Sequence, residues 1–377
     1  MLVEYCGIII SGTNAVECKQ VAQKLECNYN YKILRIVSNK LNGEYNNYIS
    51  SENIGKIDRK FFFIYREIEG SIFIIFKEEF EQILKEKKIP IIIVDKTEAE
   101  LINKIMLCNY KFMSFYIYNE QMENVGRADE EIKRNSNERN RIIKMFSYGL
   151  NNKNFIDTVM LIDKAWELRE TGGGLSREYI EKLVKCDLLI KDGKNTSVSN
   201  SSYDLSLGDE YYYAGKIGEL SDKNPFLAIE PYDYVIASCY EKINMPRDVS
   251  GKFDVSVNLF CEGIILSNST QVDPGFRGKL FCLLFNTSNK VVYLKRHTHF
   301  VTMDFNKLVE PTTPYAGKYA DEDSIVPYLP TNVMQGAINE LKKEIENLKI
   351  ENQKMQSIYL SVLALFLAIV SIIFTLR

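Results

Sequence analysis

The stretch QVDPGFRGKLFCLLFN, Gln271–Asn286, places a carboxylate, Asp273, before a Pro-Gly turn and an aromatic, Phe276, directly after it. Asp before Pro-Gly starts a turn well without any further role. Held together on one turn, an acid and an aromatic also suit a flat, polar ring. The residues that follow are apolar, with Leu283 in their midst, and leucine cannot act as a general acid or base. The chemistry available here is recognition more than proton transfer.

A second candidate lies near the start. CGIIISGTNAVECKQVAQKL, Cys6–Leu25, reads as a buried strand, a turn and an amphipathic helix. That arrangement aims backbone N–H groups at phosphates. The pattern GxxxxGK[ST] is not met: Gly12 is present and Lys19 could play the lysine, but Cys18 stands where the second glycine belongs, and Gln20 where the Mg²⁺-binding hydroxyl belongs. A Cβ at Cys18 hinders close phosphate approach, and losing the hydroxyl removes a metal ligand. Mg²⁺ is therefore expected only as a companion of bound nucleotide. Zinc is not expected: the eight cysteines form no CxxC pair, and the two histidines, His297 and His299, alternate on one strand face as a structural pair. The cysteines read as reduced thiols.

These residues need elements to position them. Up to the glycine run in ETGGGLSREY, Glu170–Tyr179, apolar strand runs at Gly7–Ile10, Phe61–Tyr65, Ile89–Val94 and Phe115–Tyr118 alternate with polar helical stretches. Alternating β and α elements argue for a parallel sheet covered by helices, and three glycines suit a hinge. Beyond it come short strands with many turn signals, the pattern of an all-β barrel or jelly roll. A net charge of −3 gives no electrostatic reason to expect nucleic acid as partner.

Residues 358–376, IYLSVLALFLAIVSIIFTL, form an uncharged run of about the 20 residues a bilayer-spanning helix needs. Four lysines, Lys342, Lys343, Lys349 and Lys354, precede it and only Arg377 follows. The positive-inside rule keeps the large N-terminal part in the cytoplasm, a tail-anchored arrangement in the membrane; no signal peptide is expected at the N-terminus. Before the span, Met334, Ile338, Leu341, Ile345, Leu348, Asn352 and Met355 recur at spacings of four and three. This is a short coiled-coil seam, and Asn352 at an a position leans toward a parallel dimer.

The segment Ser114–Asp163, with Arg127, Arg134, Arg139 and Arg141, resembles the strand, Arg-bearing lid, long helix and final strand of guanylate kinase, over roughly residues 5–168. The resemblance implies a P-loop kinase fold in which these arginines face phosphate. The second half resembles the dCTP deaminase/dUTPase family. GLSREYIEKLVKCDLLIKDG, SSYDLSLGDEYYY, AIEPYDYVIASCYEKINMPRDVSGKF, TQVDPGFRGKLFCLLFN and PYAGKYA occur in the family's order. This implies a distorted β jelly roll, and a homotrimer with shared sites. It implies a structural role for Asp204 and a water-positioning role for Asp273. Phe276 would pack on base or sugar, and Tyr315, Lys318 and Tyr319 would close over the nucleotide, Lys318 pairing with phosphate.

Two departures stand against activity. Where the family reads GRSSLAR, this chain reads VSVNLFC, with Ser256, Val257, Asn258 and Cys261 in place of two arginines and two serines, and Ser256 and Asn258 are the candidate nucleotide contacts left in this segment. Lost charged hydrogen bonds cost about 1.5–3 kcal/mol each. Leu283 replaces the glutamate that shuttles protons in deamination, and Thr302 replaces a glutamine. The chain after YAGKYA also lacks the glycine-rich, Arg-bearing loop of the dUTPase branch.

The sequence therefore predicts a multidomain α/β plus all-β chain. Residues 1–170 form a P-loop kinase-like domain, 174–330 a dCTP deaminase/dUTPase-like domain, 334–357 a coiled-coil stalk and 358–376 a transmembrane helix. The expected function is a membrane-anchored sensor or effector that binds a deoxynucleoside triphosphate or related nucleotide, without deaminase activity, in bacterial antiviral defence. The alternatives are a membrane-tethered dUTP pyrophosphatase or dCTP deaminase, and a ligand-free assembly scaffold. A trimer is expected over a dimer, because the family interface is larger than the stalk.

Overall fold

The computed structural model describes residues 5–39, 46–68, 70–94, 111–267, 271–329 and 337–375. The first unit is built on a five-stranded parallel sheet, in the order Tyr31–Ile33, Ile89–Ile93, Tyr5–Gly12, Lys111–Tyr118, Tyr148–Asn151. The central strand, YCGIIISG, is buried along almost its whole length, as a parallel strand covered on both faces must be. Ile8 and Ile10 pack with Val21 and Leu25 of the helix Ala15–Asn28, while Ile9 packs on the other face with Phe80 and Ile83 of the helix Lys77–Lys85. Four further strands form a separate small sheet, ordered Asn46–Tyr48, Ile36–Ser38, Ser71–Phe76, Phe62–Ile68.

The strands of the second unit pair antiparallel, with one isolated parallel bridge between Gly278 and Glu322. Its main sheet follows the path Ile264–Leu266, Arg277–Asn286, Tyr234–Asn244, Ser202–Tyr213, His299–Lys307, Val249–Val255, Gln271–Val272. A separate pair joins Phe226–Ile229 to Val292–Lys295.

The glycine run does not act as a hinge. Gly173 and Gly174 pair with Lys307 and Asn306 as a two-residue strand of the second sheet. The helices on either side, Phe155–Glu167 and Arg177–Lys185, place Leu161, Ile162, Ile180 and Leu183 in a single apolar cluster with both sheets. A glycine triplet frees the backbone, but the burial of its neighbours decides the outcome. At the seam, the buried Tyr148 hydroxyl donates to the buried Asp248 carboxylate, and Lys307 Nζ lies 3.3 Å from the same group. Burial pushes the Asp248 carboxyl above its ordinary value, against the pull of Lys307 and Tyr148. Lys111–Glu310 at 2.7 Å and Lys144–Asp321 at 3.0 Å extend the seam at the surface.

One helix, Ala337–Thr375, carries both the expected stalk and the expected span. Met334 lies outside the described residues, as do the side chains of Ile338 and Leu341. Farther along, Ile345, Leu348 and Met355 are about half exposed, and the apolar side chains from Ile358 to Ile369 are exposed as well. Among the described residues no helix is long and apolar enough to cross a membrane. The expected span runs past that limit, because the side chains of 370 and 372–375 and all of 376 lie outside the described residues.

Candidate functional site

The strand Arg277–Asn286 lies antiparallel to Tyr234–Asn244, with Leu283 opposite Ile236. Side chains two residues apart share a face of a strand, so Phe281 and Leu283 both border one cavity of about 370 Å³, together with Ile236, Phe276 and Asp273. The turn before the strand is tightly covered. Gly275 has φ +74°, and a Cβ there would meet Pro314 at 2.5 Å. The Tyr315 amide donates to the Pro274 carbonyl at 2.9 Å, which brings the Tyr315 ring to 5.5 Å from Phe276. Farther along the tail, Tyr319 stacks on Tyr328 at 4.3 Å, and Tyr328 leans on Phe281 at 4.5 Å.

A buried arginine pins this tail. Arg277 donates from Nε and Nη2 to Asp321 Oδ1, at 3.0 and 2.8 Å. Gly278, at φ +136°, allows the tail backbone to approach: a Cβ would meet the Glu322 carbonyl at 2.7 Å. Burial alone would raise the Asp321 carboxyl, but Arg277 and Lys144 outweigh it and hold the group below its ordinary value. The cavity is thus walled by aromatics, with Asp273 as the one carboxylate among its described lining residues and no lysine or arginine. Asp273 accepts a hydrogen bond from Gln271 Nε2 at 3.0 Å.

The structure brings Asp273, Phe276, Tyr315 and Tyr319 together. It leaves three expected contacts outside the lining. Lys318 stands with Nζ 4.7 Å over the Tyr319 ring. Ser256 is buried at the start of the short helix Val257–Cys261, with no side-chain cap bond, and Asn258 is exposed on that helix. Asp204 has a packing role: Thr302 Oγ1 donates to it at 3.3 Å and His299 lies 3.4 Å away. His297 pairs with Asp209 at 2.9 Å. Sequence reasoning missed Phe281 and Tyr328. The two-residue spacing of Phe281 and Leu283 was the available signal; Tyr328 lies beyond every recognised motif and offered none.

A second cavity, of about 360 Å³, lies in the first unit. It opens beyond the C-terminal ends of Tyr5–Gly12 and Lys111–Tyr118, where Thr13, Asn14, Tyr116 and Asn119 line it. This is where the strand order reverses, the usual ligand position in an open α/β sheet. Most of its charged side chains are already engaged, although Arg139 Nε and Glu123 Oε1 are buried without a partner. Asn14 accepts from the Val16 and Glu17 amides that would otherwise face an anion. Glu17 borders the cavity and accepts from Asn152 at 3.0 Å. Arg139, buried, donates to Glu123 at 2.6 Å and Glu120 at 3.0 Å, and Arg127 lies 3.4 Å from Glu131. Arg134, Arg141 and Lys19 are exposed and outside the lining. Gly12 serves close packing, since a Cβ would meet the Ile117 carbonyl at 2.2 Å.

A family model described as dCTP deaminase-like matches residues 174–308. The dCTP deaminase of Pyrococcus horikoshii is 33% identical over 144 residues, which are 38% of this chain and 91% of that protein. The 2'-deoxycytidine 5'-triphosphate deaminase structure from Agrobacterium tumefaciens aligns with a TM-score of 0.33 and 17% identity, over 36% of this chain and 49% of its own. The guanylate kinase structure from Anaplasma phagocytophilum aligns with a TM-score of 0.32 and 15% identity, over 45% of this chain and 90% of its own.

Proposed function

Because the chain belongs to the dCTP deaminase-like family through residues 174–308, we propose that it binds a deoxynucleotide in the cavity over Asp273 and Phe276 without deaminating it, as a membrane-anchored sensor. The observation that carries this reading is Leu283. It borders that cavity, at the position where the resemblance calls for a proton-shuttling glutamate. A ring can stack there, but no side chain at that position can carry a proton between water and an exocyclic amine.

The exposed apolar helix Ala337–Thr375 supports the membrane part of the reading, since so much uncovered apolar surface needs lipid or a second copy against it. The anchor keeps the bulk of the chain on the cytoplasmic side, and the protein assembles as a trimer. Bacterial antiviral defence, in which deoxynucleotide pools change, is a setting that fits a sensor of this kind. Mg²⁺ would arrive with nucleotide phosphate. Asp273 beside Gln271 favours one other reading, hydrolysis of a dUTP-like substrate with Asp273 orienting water.

The test is the full chain in lipid nanodiscs, titrated with each deoxynucleoside triphosphate and dUTP while melting temperature and products are followed. Ligand at about 100 Kd adds roughly 2.7 kcal/mol of stability. A shift with intact ligand is the expected result; uracil products from dCTP, or dUMP from dUTP, would overturn it.

A further inference from the structure

We infer that the cavity over Asp273 recognises only the base and sugar of its ligand, so that phosphate groups add nothing to affinity; this rests on the nucleotide-binding reading above. The lining contains no lysine or arginine among the described residues and one carboxylate, Asp273. The neighbouring undescribed positions 268–270 are Asn, Ser and Thr, which bring no cation.

Two cations of the surrounding elements, Lys252 opposite Gln271 and Lys279 on the cavity strand, stand outside the lining; the others are committed elsewhere. Arg277 is buried and doubly bonded to Asp321. Lys242, on the strand beside Arg277–Asn286, pairs with Asp323 at 2.8 Å. Lys318 packs over the outer tail ring and stays outside the lining. The short helix Val257–Cys261 presents Val257, Asn258 and Phe260 to its exposed side and has no positive charge to lend to its own cavity or to that of a second copy. Phosphate recognition depends on charge-assisted donors, whereas the aromatic walls here offer stacking, which is indifferent to the charge on the 5' side. A lone carboxylate at the rim opposes a polyanion instead.

Affinity should therefore be nearly the same for nucleoside and triphosphate, and nearly independent of salt. The experiment is calorimetric titration of the full chain in nanodiscs with deoxycytidine, deoxyuridine and thymidine and with their 5'-triphosphates, at about 0.05 M and about 0.3 M salt. For whichever base binds, the nucleoside and triphosphate Kd should agree within about threefold at both salts, a difference well below the tenfold that 1.4 kcal/mol represents. The exposed rim substitution Gln271→Arg should create the missing contact, giving a triphosphate preference of about tenfold that weakens with salt. A wild-type triphosphate preference of about tenfold or more, lost at high salt, would overturn this inference and leave the nucleotide-binding reading standing. No binding by any of the six compounds would overturn both.

Discussion

The two cavities are nearly equal in size, about 360 and 370 Å³, yet differ in what their walls can still do. In the first unit the charged groups remain and are engaged with one another: Arg139 with Glu120 and Glu123, Arg127 with Glu131, and Asn14 with the helix amides. In the second unit the described wall holds no cation and one carboxylate, Asp273, among aromatic rings and Leu283. Charged residues can line a cavity while most of them are occupied with one another. A ring site can lose its chemistry by one apolar replacement while its shape survives. Motif matching is misled by the first kind of change and is informative about the second.

The largest effect should come from breaking the seam that joins the two regions. Lys307→Met leaves Asp248 buried without its cation, which typically costs about 3–5 kcal/mol. Urea unfolding should show this loss in a single transition for both units, because they share a core; two separated transitions would contradict the shared core. Next, Arg139→Ala leaves the partly buried Glu123 without its cation, while Glu120 keeps Lys191 at 2.9 Å, and should cost about 3 kcal/mol. It should leave ligand affinity in the second cavity unchanged, so a loss of binding would show that the two cavities are not independent.

A smaller effect is expected within the ring site. Tyr315→Ala removes one stacking wall, which is worth about 1–3 kcal/mol per base, and calorimetry should show Kd rising about tenfold or more. Acid should loosen the same tail. Asp321 is held below its ordinary value, so its contribution is present above the unfolded carboxylate value and disappears as pH falls through the lowered folded value. Tail order, followed by tyrosine fluorescence, should be lost only below the usual carboxylate range, and Asp321→Asn should remove that dependence. The smallest effect is Lys19→Ala: an exposed lysine outside the cavity should change stability by no more than about 0.5 kcal/mol and nucleotide affinity not at all. A clear loss of affinity would restore the phosphate-loop reading of Gly12 and Lys19.

Legibility in the sequence followed the range of the interactions. The alternation of strand and helix before residue 170 and the short strands after it were readable, because burial imposes periods that a single segment displays; the run Phe61–Tyr65 was misplaced, since it pairs antiparallel in the small sheet and not in the parallel one. Asp273, Phe276, Tyr315 and Tyr319 were readable as a group because they sit in ordered motifs. The ion pairs that disarm the first cavity were not readable. Arg139 meets Glu120 and Glu123 from another helix, and no local spacing encodes that contact. The glycine run was misread as a hinge for a similar reason: its partners, Asn306 and Lys307, lie far along the chain. Tyr328 reaches the cavity because contacts distant in sequence, Arg277 with Asp321, Lys242 with Asp323 and Glu210 with Ile325, hold the tail over the strand.

The central claim is recognition without deamination, and it is tested most directly by watching the ligand itself. The full chain in nanodiscs would be mixed with carbon-13-labelled dCTP, and the ring resonances followed by NMR over hours. The account predicts resonances broadened or shifted by binding, with no uracil signals and no ammonia released. Steady growth of uracil signals would contradict it, and would mean that another group performs the proton transfer that Leu283 cannot.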